Sequence, residues 1–282
     1  MLKMKRGVSE PFDSDGRQGF CNAEYEILKK YGFDFVDFGA ADTDTELYGT
    51  DEDAALSLMR EIKARHDSAG IKIWQMHGPW RYPPRDATDE DRAERLDKMK
   101  RAVLLAECAS CRYLVVHPLM PDMEDVIHDC TDETYKINLS FMRELASFAS
   151  EHSVVICLEN MPMRDLSLAK PLDILAFVRE IDSPNFKICL DSGHVAVFPG
   201  LSPAEEFLSL GDYVKVLHIH DNDGVADRHR DPGQGVIDWQ AFTEALETVD
   251  FDGVISLEVG LSADNFEPRA RTLCEICDKI LG

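Results

Sequence analysis

Phe186-Lys187-Ile188-Cys189-Leu190-Asp191-Ser192-Gly193-His194 is a short β-rich run that stops on a carboxylate and gives way to small and polar residues. A buried strand of a parallel sheet reads this way, apolar along its length and polar where it leaves the sheet. The same unit recurs along the chain. Strand candidates are Lys5–Ser9, Phe33–Gly39, Ile71–His77, Tyr113–His117, Val154–Glu159, Phe186–Asp191, Val214–His220 and Gly253–Val259. Helical patterns follow them at about 22–31, 52–69, 88–109, 132–151, 171–181, 203–210, 239–248 and 264–281. Eight βα units in 282 residues, with no long linker between them, predict a single (β/α)8 TIM barrel over residues 1–282. An open doubly wound sheet is the alternative. It would usually show a Gly-rich phosphate turn after its first strand, and Ser9-Glu10-Pro11-Phe12 is not one.

Helix boundaries agree with this division. Asp51-Glu52-Asp53 and Thr88-Asp89-Glu90 offer N-caps and acidic first turns, Pro171 suits a first turn, and Gly32, Gly70 and Gly211 fall where helices should stop. The acidic run Asp42–Asp53 reads as a solvated loop leading into a helix.

Composition narrows the function. The net charge of −23, from 53 acidic and 30 basic residues, repels phosphate backbones, so a small soluble molecule is expected as partner rather than nucleic acid. No stretch approaches the roughly 20 apolar residues of a membrane span, and no apolar segment follows the basic N-terminus as in a secretory signal. The cysteines lie in apolar runs or helical patterns, Cys108/Cys111 and Cys274/Cys277 included. They read as reduced, packed thiols of a cytoplasmic protein, for which homo-oligomerisation is left open.

On this fold, chemistry gathers at the C-terminal ends of the strands. Strand three ends at His77, four at His117, five at Glu159, six at Asp191 with His194 beyond it, seven at His218 and His220, and eight at Glu258. Strand two, ending Asp37-Phe38-Gly39, shows no obvious ligand type. Six adjacent strands thus deliver a His, Asp or Glu to one rim. A charge at the end of an apolar run carries a desolvation cost unless something pairs with it, and a metal ion supplies that partner. Mixed imidazole and carboxylate donors suit Zn, Mn, Co or Fe better than Ca or Mg. The polar loop Asp221–Gly235 is about fifteen residues long, a length that is usually functional in compact domains. Asp227 and His229 are spaced to reach one site, and Pro232-Gly233-Gln234-Gly235 can fold the loop back over the pocket. Gly78–Arg85 can form either a stacking lid, the preferred reading, or a wedge, and Trp80 is a candidate nonpolar wall, whereas Trp74 reads as core.

With Leu158-Glu159-Asn160, Asp191-Ser192-Gly193-His194 and the stretch His218–Gly235 taken together, the chain resembles the xylose isomerase-like barrel superfamily. That superfamily holds sugar isomerases and epimerases, inosose dehydratases and isomerases, and the endonuclease IV branch. The resemblance to its epimerases implies one metal held by Glu159, Asp191, His218 and Glu258. His220 competes with His218 on the same strand face. His218 is preferred because the family places the ligand three residues before the Asp that closes this strand. The family's substrate-contacting histidine falls on His194. In the endonuclease IV branch, which carries three zinc ions, the additional ligands fall on His77, His117, His194, Asp227 and His229.

The resemblance therefore implies a divalent-metal-dependent isomerase or epimerase of a sugar, cyclitol or sugar derivative. It would bind one or more Mn, Zn or Co ions and move a proton through a metal-stabilised enediolate. Glu159 and Glu258 would be the acid/base pair, and His194 and Arg228 would orient hydroxyls or balance charge. A multinuclear-metal hydrolase of phosphate esters, like endonuclease IV, is the alternative.

Overall fold

The computed structural model describes residues 4–80, 84, 86–121 and 131–280, so residues 81–83 and 85 of the expected lid lie outside the described part. Eight strands run in chain order: β1 (Lys5–Pro11), β2 (Phe35–Gly39), β3 (Lys72–His77), β4 (Tyr113–Val116), β5 (Val155–Glu159), β6 (Phe186–Asp191), β7 (Val214–His218) and β8 (Val254–Leu257). They form one sheet in the order β7-β6-β5-β4-β3-β2-β1-β8, and each paired neighbour is parallel. Ile219 bridges Leu257 across the remaining gap. Its N–H donates to the Ser256 carbonyl (2.8 Å), and its own carbonyl accepts from Glu258 N–H (3.0 Å). The sheet is thereby joined into a barrel. The (β/α)8 reading of the sequence holds.

The helices are α1 (Asn22–Lys30), α2 (Glu46–Gly49), α3 (Glu52–Ala69), α4 (Asp89–Cys108), α5 (Thr131–Glu151), α6 (Pro171–Ile181), α7 (Ser192–Ala196), α8 (Pro203–Leu210), α9 (Trp239–Thr248) and α10 (Phe266–Ile280). Their ends follow the chemistry of the termini. Asp51 accepts a hydrogen bond from Ala54 N–H at the start of α3, and Thr88 and Asp91 cap α4 reciprocally. Gly70 stops α3 at φ +68°, where a side chain would be strained. Ala55, Met59 and Ile62 of α3 recur on one face and are buried against the barrel. No helix among the described residues is long and apolar enough to cross a membrane.

Two expectations change. The run Asp42–Asp53 is not simply a solvated loop. It contains α2, because Leu47 and Tyr48 bury themselves and the Tyr48 hydroxyl donates to the Ala40 carbonyl (2.7 Å). Cys111 lies beyond the end of α4 and does not share a helical face with Cys108. The described cysteines are free thiols.

Strand alternation positions the site. On β5, Val155, Cys157 and Glu159 project to one face. On β6 and β7 the pairs Cys189/Asp191 and Val216/His218 do the same. Val115, Val155, Cys157, Cys189 and Val216 form one buried apolar cluster. One step further along the same strands the residues become Glu159, Asp191 and His218. Register brings Asp191 directly opposite His218. The barrel interior thus changes from an apolar floor to a polar mouth.

Candidate active site

His218 is fully buried at the centre of that mouth. Its Nδ1 lies 3.0 Å from Glu159 Oε1, 3.3 Å from Glu258 Oε2 and 4.0 Å from Asp191 Oδ2. Its other nitrogen, Nε2, lies 2.7 Å from Asp37 Oδ2, which also accepts from Gln75 Nε2 (3.0 Å). A proton on Nε2 donated to Asp37 fixes the ring and turns Nδ1 toward three carboxylates.

One donor atom from each of Glu159, Asp191, His218 and Glu258 lies within 4.8 Å of the others. With ligand distances of about 2.0–2.2 Å, donors on opposite sides of a divalent ion stand about 4 Å apart, so the set matches the spacing such an ion needs. Glu258 Oε2 and Asp227 Oδ1 are buried without a hydrogen-bond partner, as atoms waiting for a cation would be. Charge agrees. Burial raises the Glu258 carboxyl, His218 opposes the rise, and the neighbouring Asp191 and Glu159 add to it, leaving it above the usual range. Burial also works against ionised Glu159, but His218 and His117 outweigh it and hold this carboxylate well below that range.

A second group adjoins through Glu159. Its Oε2 lies 3.0 Å from His117 Nε2, which is 3.1 Å from His77 Nε2. Burial lowers His117 to about 4, so it is neutral at pH 7. A third group comes from the loop after β7. Asp227 Oδ2 is 3.3 Å from His194 Nε2 and 3.1 Å from His229 Nε2. His194 Nδ1 lies 2.7 Å from the Asn160 carbonyl, and His229 Nδ1 lies 3.0 Å from the Glu258 carbonyl. Asp221 pins this loop: its Oδ2 accepts from Gly233 N–H, Gly235 N–H (both 3.0 Å) and Trp239 Nε1 (2.9 Å). The Pro-Gly-Gln-Gly turn is folded back by that carboxylate.

His220 stands behind Asp191. Its Nε2 is 3.0 Å from Asp191 Oδ2 and 3.7 Å from Asp227 Oδ1, and its ring stacks on His229 at 4.2 Å. A Cβ at position 193 would fall 2.0 Å from the His220 ring, so this packing requires Gly193. Arg228 departs from expectation. Its guanidinium is 3.3 Å from Asp223, its side chain is 54% exposed, and it does not line the cavity, because the loop turns that side chain outward. The cavity itself holds about 980 Å³. Trp80, Met161 and Met163 give it an apolar wall, while Trp74 lies at the opposite end of the barrel against Tyr113.

The sequence reading missed Asp37, Asp221 and Gln75. A signal for Asp37 was present: a lone carboxylate inside the apolar run Phe35-Val36-Asp37-Phe38.

The chain matches the family described as xylose isomerase-like TIM barrel over residues 25–277. It belongs to that family. Among individual proteins, it is 33% identical over 151 residues to the uncharacterized protein MJ1311 of Methanocaldococcus jannaschii, a match covering 51% of this chain and 50% of that relative. The match thus spans about half of that relative's length. It is 23% identical over 241 residues to L-ribulose-5-phosphate 3-epimerase UlaE of Escherichia coli, covering 83% of this chain and 80% of that one. Two solved structures share the fold. A D-tagatose 3-epimerase-like protein superposes with a TM-score of 0.75 at 23% identity, covering 99% of this chain and 98% of that one. The IOLI protein with a binding zinc atom superposes with a TM-score of 0.72 at 20% identity, covering 98% and 96%.

Proposed function

We propose that this family member is a divalent-metal-dependent isomerase or epimerase acting on a sugar, cyclitol or sugar derivative. One observation carries the proposal: Glu159 and Glu258, from non-adjacent strands, converge on His218 Nδ1 beneath a large cavity with an apolar wall. The epimerase UlaE among the relatives and the zinc-binding IOLI structure support it.

Glu159, Asp191, His218 and Glu258 would hold the ion. Their mixed nitrogen and oxygen donors fit Mn, Zn or Co. When bound, a divalent ion supplies Lewis acidity for polarising a carbonyl or hydroxyl oxygen of the substrate. The chain does the proton chemistry. Glu258, its carboxyl raised, takes the proton from the carbon beside the carbonyl, and Glu159, held ionised, relays or returns one from across the pocket. His194, fixed by the Asn160 carbonyl, orients a substrate hydroxyl, and Trp80 and Met161 exclude water. The free thiols suit a reducing, cytoplasmic compartment.

The test is solvent exchange. Metal-loaded protein incubated with ketoses and cyclitols in D2O should place deuterium on the carbon next to the carbonyl, read by NMR. A panel without exchange, alongside hydrolysis of phosphate esters, would transfer the assignment to the multinuclear hydrolase. A specific feature favours that second reading: the two oxygens of Glu159 face two separate groups, His218 on one side and His117 with His77 on the other. Metal counting separates the two. One ion per chain favours isomerisation, and two or three favour hydrolysis.

Asp37 offers a further check. If it fixes His218 for metal binding, Asp37→Ala should weaken metal affinity by roughly 10- to 100-fold, as for other outer-shell partners of metal-bound histidines. Competition with a chromophoric chelator reads this directly. Unchanged affinity would reduce Asp37 to a packing role.

A further inference from the structure

The cavity is lined by five carboxylates, those of Glu10, Asp37, Glu159, Asp227 and Glu258. Two guanidinium groups line it, Arg17 and Arg269, beside the imidazoles of His77, His117, His194 and His229. Arg269 is committed elsewhere: its two terminal nitrogens engage both oxygens of Asp231, and its Nε donates to the Gly260 carbonyl (2.9 Å). Arg17 is different. Its Nη1 donates to the Leu261 carbonyl (3.1 Å), and no carboxylate among the described residues forms an ion pair with it. An arginine fork next to a cavity, with donors to spare, is a receptor for an oxyanion.

The position is built. A short hairpin leaves β1, closed by the Phe12/Gln18 bridge and by two bonds between Asp13 and Arg17. Gly16 makes its turn at φ +103°. Asp42, in the loop after β2, anchors the tip through Ser14 N–H (2.8 Å) and Oγ (2.6 Å). On the facing side, Leu261 lies three residues beyond Glu258. Ser262 and Asn265 also line the cavity just before α10 begins at Phe266.

We infer that Arg17, with Ser262 and Asn265, forms a subsite for an oxyanion of the substrate, so that the site prefers a phosphorylated or carboxylated sugar to the neutral sugar. This rests on the sugar isomerase or epimerase reading and assigns the substrate class within it. Arg17 takes the charge-balancing place expected for Arg228 at the sequence level. Unlike the imidazoles around the cavity, it keeps its charge at every working pH.

The test measures binding, not turnover. Calorimetry on metal-loaded protein compares D-fructose, D-fructose 6-phosphate and D-fructuronate for wild type, Arg17→Gln and Arg17→Lys. Gln keeps a donor for the Leu261 carbonyl, and matched melting temperatures control for folding. Wild type should bind one anionic sugar roughly 10- to 100-fold more tightly than fructose, the range expected for hydrogen bonds to a charged group. That preference should vanish in Arg17→Gln and survive in part in Arg17→Lys. Preference for the phosphate or for the carboxylate identifies which oxyanion is meant. Equal affinity of wild type for all three sugars, absence of binding included, overturns the inference, as does a preference that persists in Arg17→Gln. An Arg17-dependent preference without proton exchange would retain the subsite and discard the epimerase reading. Exchange of fructose without any such preference would do the reverse.

Discussion

Glu258→Gln is expected to lower turnover by roughly 10²- to 10⁴-fold, the range a positioned acid or base contributes. The change is nearly isosteric, so it removes proton transfer while preserving shape. Its second effect separates chemistry from folding. Glu258 Oε2 is buried without a hydrogen-bond partner, and its carboxyl is raised by burial, with Asp191 and Glu159 adding to the rise against His218. Replacing it by a neutral amide relieves that repulsion, so the metal-free variant should melt at or above the wild-type temperature. Glu159→Gln should behave differently. Both oxygens of Glu159 are engaged, one 3.0 Å from His218 and the other 3.0 Å from His117. An amide there must turn an N–H toward one of these histidines. A buried mismatch of this kind costs about 1–3 kcal/mol, so Glu159→Gln should lose turnover and stability together. Deuterium exchange paired with melting curves reads both. Normal exchange in Glu258→Gln would remove Glu258 from the acid/base pair.

The barrel was legible because it is written as a repeat. Each strand is an apolar run with a polar terminus, and that pattern survives without any knowledge of which strands pair. The rim was legible for the same reason. Glu159, Asp191 and His218 are the residues at which their strands end, and parallel register brings strand ends together whatever the details of packing. Asp37 was passed over, because it lies two residues inside the end of β2, whereas Glu159, Asp191 and His218 stand at the very ends of their strands. Its burial cost follows the same logic that singled out Glu159, so the signal was available. The loops were legible in composition but not in direction. Nothing in Asp227-Arg228-His229 says that Asp and His turn inward while Arg turns out to Asp223, because φ/ψ in a loop has no period to project. Arg17 was unreadable for a related reason. It belongs to the site only because the β1 hairpin is folded onto Asp42 and Leu261, contacts that join distant parts of the chain.

Chelation of the ion should abolish activity, and the return of metal should follow pH in a direction the metal-free site dictates. Burial disfavours the charged form of His194, but Asp191 and Asp227 outweigh it and push this imidazole up to about 10. Burial likewise opposes charge on His229, whose neighbours Asp227 and Glu258 raise it to about 9. His218, desolvated yet facing Glu159 and Glu258, is also raised well above its ordinary value. At pH 7 the metal-free site therefore carries a proton on His218, the one imidazole among the proposed ligands, and on His194 and His229 beside it. Ligation needs neutral imidazole at His218, so binding there expels a proton and weakens as pH falls. Calorimetric titration of the stripped protein in two buffers of different ionisation enthalpy should show at least one proton released per ion at pH 7. The stability linkage has a fixed sign. Histidines raised on folding stabilise the metal-free protein fully below their unfolded value of about 6.5, and this stabilisation is lost as pH rises through about 9–10. The stripped protein should therefore lose melting temperature between pH 7 and pH 10. The loaded protein should lose less, because a bound cation disfavours the protonated forms of the nearby His194 and His229 and so removes part of this linkage. Turnover by rigorously metal-free protein would end the metal-dependent reading. Metal uptake without proton release would show that the ion does not bind at His218.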